Sequence, residues 1–90
     1  MLEIVISNRF KKDLKQAAKR GYNLALLDEV VSKLAQKEPL PEKNKDHVLS
    51  GDYAGYRECH IAPDWLLIYS VEDDALALYL MRTGTHSDLF

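Results

Sequence analysis

The stretch Tyr53-Ala54-Gly55-Tyr56-Arg57-Glu58-Cys59-His60-Ile61-Ala62-Pro63-Asp64-Trp65-Leu66-Leu67-Ile68-Tyr69-Ser70-Val71-Glu72-Asp73-Asp74-Ala75-Leu76-Ala77-Leu78-Tyr79-Leu80-Met81-Arg82-Thr83 decides the fold. It reads as three strands: Tyr53 to Ile61, Trp65 to Val71, and Leu76 to Thr83. Ala62-Pro63-Asp64 turns the chain between the first two, and the acidic Glu72-Asp73-Asp74 between the second and third. Connections this short join antiparallel neighbours. Alternation in the first strand sends Tyr56, Glu58 and His60 to one side and Arg57, Cys59 and Ile61 to the other.

Upstream, the period changes. Leu2 to Ile6 is apolar and β-branched and reads as a strand. Ser7 and Asn8 are helix N-cap candidates, and Phe10, Leu14, Ala17 and Ala18 recur at helical spacing until Gly21. Asn23 can cap a second helix with the stripe Leu24, Leu27, Val30, Val31 and Leu34. Pro39 and Pro41 stop that helix, and residues 42–46 form a polar loop. The expected architecture is α+β in the order β-α-α-β-β-β. It is a small, antiparallel-dominated sheet with two N-terminal helices on one face and the other face free for a site.

Ninety residues make one domain, 1–90, with ordinary apolar (47%) and charged (29%) fractions. No apolar run approaches membrane-spanning length, and the N-terminus lacks a signal-peptide pattern. The single Cys59 cannot form an internal disulfide and reads as a buried strand residue, so the expected compartment is the cytoplasm. The net charge of −2 hides an asymmetry. Residues 1–45 carry ten Lys and Arg against six Asp and Glu; residues 46–90 carry two against eight. The basic half can meet phosphate through Lys11, Lys12, Lys15, Lys19 and Arg20, although a charge run on a helix is more often simply a solvated face.

The chemistry rests on His47, His60 and His86, in the loop, a strand and the tail. Histidine both takes and gives a proton near neutrality. If the three converge, with Asp64 orienting an imidazole and raising its pKa, the site holds an acid and a base. Arg82, next to the tail, can fork onto a phosphate; Arg57 lies on the opposite strand face and reads as structural. Phe90 can stack on a base or tether the tail. Trp65 and Tyr69 share parity with Leu67 and read as core.

Three segments together carry a resemblance. Lys45-Asp46-His47-Val48-Leu49-Ser50-Gly51, Gly55-Tyr56-Arg57-Glu58-Cys59-His60-Ile61-Ala62-Pro63-Asp64-Trp65-Leu66-Leu67-Ile68-Tyr69 and Arg82-Thr83-Gly84-Thr85-His86-Ser87-Asp88-Leu89-Phe90 resemble the YafQ branch of the RelE-type toxins over essentially the whole chain. The resemblance implies the RelE-like fold and the toxin half of a type II toxin–antitoxin pair, a ribosome-dependent endoribonuclease that cuts mRNA. It implies catalytic positions at His47, His60, Asp64 and His86, supported by Glu58 and Phe90, to which the reading of the residues adds Arg82. Glu58 departs from that pattern, which has an aspartate there. It also implies a cognate antitoxin through which the complex binds operator DNA, no cofactor and no membrane. Two rival readings are a catalytically silent fold that only binds an antitoxin as co-repressor, and a zinc site built from the three histidines and Asp64. The histidines have no short ligand spacing, so no metal is expected.

Overall fold

The computed structural model describes residues 1–90. Its elements are β1 (Glu3–Ile6), α1 (Asn8–Lys19), α2 (Leu24–Ala35), β2 (His47–Val48), β3 (Arg57–Ala62), β4 (Trp65–Glu72), β5 (Ala77–Gly84) and α3 (His86–Leu89), with 3₁₀ turns at Glu42–Asn44 and Gly51–Tyr53. One five-stranded sheet runs β1-β5-β4-β3-β2, with β1 parallel to β5 and the other pairs antiparallel. The α+β class and the strand–helix–helix start match the reading of the sequence. Two elements are additional: a two-residue strand is too short to alternate, and a one-turn helix too short to show a stripe. The first long strand also begins later than expected, because Gly51–Tyr53 is wound into a turn.

Local chemistry explains the frame. Ser7 Oγ accepts the Phe10 amide at 2.9 Å and donates to the Met81 carbonyl at 2.7 Å, so one hydroxyl caps α1 and ties it to β5. Asn23 caps α2 by accepting the Ala25 amide at 3.1 Å. Phe10, Ala17, Leu27, Val30 and Leu34 bury the helices against Cys59, Trp65, Leu67, Tyr69, Leu78 and Leu80 on one face of the sheet. A smaller cluster on the other face contains Leu66, Ile68 and Leu89. That face is therefore not wholly free, as the sequence suggested: the C-terminal turn lies over part of it. No helix is long and apolar enough to cross a membrane.

β2 pairs only with the start of β3, His47 opposite Glu58 and Val48 opposite Arg57. The rest of the β3 edge is met by a side chain. Asn44, buried, donates its Nδ2 to the His60 carbonyl at 2.7 Å. This satisfies part of an edge that otherwise offers unpaired backbone groups, and it fixes the polar loop beside His60.

Candidate active site

Alternation along β3 puts Cys59 and Ile61 in the helix-side core and Glu58 and His60 on the opposite face, opposite Ile68 and Leu66 of β4. The Glu58 side chain is only 5% exposed. Burying a carboxylate is costly unless partners surround it. Here they are imidazoles: His47 Nε2 lies 3.5 Å and His60 Nε2 3.9 Å from Glu58 Oε1. His47 Nδ1 is 2.6 Å from the Lys45 carbonyl. A carbonyl only accepts, so Nδ1 carries the hydrogen and Nε2 is the nitrogen turned to Glu58. Cys59 is buried, which pushes its thiol up to about 12 and leaves it inert as a nucleophile.

His86 arrives on α3, a helix too short to hold itself. It is held by a capping box. Thr85 Oγ1 accepts the Asp88 amide at 3.2 Å, and Asp88 Oδ2 accepts the Thr85 amide at 2.9 Å. Arg20 forks onto Asp88 at 2.6 and 3.1 Å, and its charge with the Thr85 contacts holds that carboxyl well below the usual carboxylate range. Leu89 packs beside Leu66 and Ile68. Gly84 lets the turn close, since a Cβ there would stand 2.8 Å from Asp88 Oδ2. Asp64, in the β3–β4 turn, accepts the His86 Nδ1 hydrogen at 2.8 Å and the His86 amide at 3.1 Å. The ring contact, then the backbone contact, holds the Asp64 carboxyl below its ordinary value. With Nδ1 given to Asp64, the His86 Nε2 stays open.

The His60 and His86 ring centroids are 5.8 Å apart, and one oxygen of Glu58 and one nitrogen from each of the two rings lie within 4.8 Å of one another. His60 is mostly covered and His86 exposed. Two proton carriers thus face a common space. The same three groups are a donor set of a kind that zinc or copper accepts. It is not the set expected from sequence: Glu58 stands in it, and His47 and Asp64 are attached behind.

Three of the four arginines are already committed. Arg82 forks onto Asp13 of α1 at 2.8 and 3.1 Å, and Asp13 also accepts the Thr83 amide at 3.2 Å. Arg57 reaches Asp46 at 3.3 Å, and Asp46 accepts the Tyr69 hydroxyl at 2.5 Å. Arg20 is on Asp88. Lys11, Lys12, Lys15 and Lys19 stand on the exposed side of α1, which packs against the sheet face away from the histidines. Phe90 is exposed, with its ring 5.5 Å edge-on from Tyr53 and 6.4 Å from His86. The sequence reading missed Asp13, Asp46, Asp88 and Asn44, the groups that fix the site's cations and its loop. Only one had a local signal: Thr85-x-x-Asp88 is a capping-box pattern.

Comparison with known proteins adds to this geometry. Residues 2–90 match the family model described as bacterial toxin of type II toxin–antitoxin system, YafQ. The mRNA interferase toxin YafQ of Escherichia coli is 42% identical over 89 residues, covering 98% of this chain and 95% of the relative. A crystal structure of a metal-bound toxin from Helicobacter pylori superposes with a TM-score of 0.94 at 48% identity, each chain fully covered. The E. coli DinJ–YafQ toxin–antitoxin complex gives 0.88 at 41% identity, covering 99% of this chain and 97% of that one.

Proposed function

We propose that this chain, which belongs to the YafQ family of bacterial type II toxins, is an endoribonuclease that cuts mRNA by metal-free acid–base catalysis. The observation that carries the reading is the approach of His60 and His86 beside a buried Glu58, with His86 braced by Asp64. RNA supplies its own nucleophile. A base takes the proton of the 2′-hydroxyl, the 2′-oxygen forms a bond to the adjacent phosphorus, and the bond to the 5′-oxygen breaks as an acid protonates it. The products are a 2′,3′-cyclic phosphate and a 5′-hydroxyl. His60 and His86 are the proton carriers, each such role being worth about 10²–10⁴ in rate. Asp64 holds the His86 ring in one tautomer, and Glu58 positions His60 and His47 by charge. Phe90 offers an exposed ring for base stacking.

Cleavage in the ribosome, with the α1 lysines against RNA and Arg82 steadying the site through Asp13, is part of the same proposal. A toxin of this kind needs a mask, and an antitoxin that also carries operator binding fits the E. coli relative seen with DinJ. The discriminating experiment is expression with and without the neighbouring antitoxin gene, followed by mapping of mRNA 5′ ends. New 5′-hydroxyl ends that vanish with the antitoxin are expected. Growth arrest without new ends would defeat the nuclease reading.

A second reading concerns metal. Glu58, His60 and His86 suit a transition-metal ion, and the H. pylori relative is described as metal-bound. A cation there would supply Lewis acidity, but it would occupy the lone pairs that proton transfer needs. The proposal is therefore that metal inhibits: chelator leaves or raises activity, and added zinc or copper lowers it. Loss of cutting in chelator, restored by zinc, would reverse this order.

A further inference from the structure

Every lysine of this chain precedes residue 46, and the only arginines after it are Arg57 and Arg82. Both are held by internal carboxylates, as is Arg20. The half of the chain that carries the histidines is strongly acidic, and the site contains Glu58 and Asp64. An RNA strand with one charge per nucleotide cannot cross such a surface without uncommitted cations. The α1 lysines lie on the far side of the sheet, and beside His60 the fold supplies such cations in the loop before β2. Lys43 and Lys45 line a cleft of about 370 Å³ whose wall also includes Asn44, His60 and the Ile61–Pro63 turn.

Both side chains are exposed and neither takes part in an ion pair, whereas Lys33 and Lys37 are paired with Glu29 and Asp73. Their backbone is nevertheless fixed to the catalytic groups. Between them, Asn44 bonds the His60 carbonyl. Lys45 has a left-handed backbone (φ 48°), and its carbonyl receives the His47 ring hydrogen. A strained, anchored loop that presents two free ammonium groups beside His60 is arranged to hold an anion at a set distance from the reacting centre.

We infer that Lys43 and Lys45 form a phosphate-binding subsite for the RNA linkage next to the one that is cut. This deepens the nuclease reading and rests on it. The contact is made before and during reaction alike, so it contributes to binding rather than to the chemical step.

The test is single-turnover cutting of ribosome-bound mRNA by the full chain and its K43Q, K45Q and double variants, across enzyme concentration and salt. The double variant is expected to reach the parent's rate at saturation but to need roughly 5-fold more protein at ~0.1 M salt. Its log–log salt slope should be flatter by about 0.7, the value for one phosphate contact on a single strand. Replacing the neighbouring phosphate with a neutral methylphosphonate should weaken the parent to the level of the double variant and leave the variant unchanged. A double variant that matches the parent, or one weakened further by the methylphosphonate, overturns the subsite. A parent that cuts no mRNA brings down the nuclease reading, and the subsite with it.

Discussion

Replacing Asp64 with asparagine isolates one contact in the site. The amide oxygen can still accept the His86 amide and ring hydrogens, which the carboxylate receives at 3.1 and 2.8 Å, but the charge is gone. Both side chains are more than half exposed, so the ionic part of the pair is screened by solvent and adds little to stability. Fold stability should therefore barely change. The rate is more sensitive, because the contact decides which nitrogen of His86 is open. Loss of the charge alone should cost less than loss of ring orientation as well, which in Asp64→Ala is limited to the roughly 10²–10⁴ of one proton-transfer role. Single-turnover cutting, with nitrogen NMR of the His86 ring, reads both quantities. In a His86→Ala background, Asp64→Ala should cost almost nothing further, since the two act as a unit. Additive losses in that double variant would refute the idea that Asp64 works through His86.

The two proton roles can be separated chemically. A substrate with sulfur at the 5′-bridging position leaves without a proton, so whichever of His60→Ala and His86→Ala removes the acid should be rescued on it; rescue of neither would exclude both as the acid. A 2′-deoxy nucleotide at the cut position should block reaction, and normal cutting there would exclude 2′-oxygen attack. Asp88→Asn should be less stable than the parent at pH 7. The Asp88 carboxyl is depressed in the folded chain, so its contribution is present above the unfolded value of about 3.9 and is lost as pH falls toward the folded value. The gap between the two proteins in thermal melts should hold from pH 7 to pH 5 and narrow below about 4; a gap that widens in acid would contradict the sign. Leu27→Ala, at a buried position of α2, should cost about 2–5 kcal/mol in denaturant melts, and parent-like stability would refute the packing face assigned to that helix.

What was legible in the sequence was local. Two-residue alternation from Arg57 to Thr83, proline and acidic turns, and caps at Ser7 and Asn23 act within a few positions, so they can be read without knowing the fold. The parity of Glu58 and His60 on one face, and of Trp65, Leu67 and Tyr69 in the core, followed from the same period. The family pattern named the histidines and Asp64. Tertiary structure alone decided which charges meet. Arg82 lies 69 positions from Asp13, and Arg20 68 from Asp88. Nothing local selects those partners among fourteen acidic residues. The choice comes from where α1 crosses β5 and from where the terminal turn settles on Leu66 and Ile68. It took arginines expected to face RNA into internal forks, and left two lysines of the polar loop as the free cations beside His60.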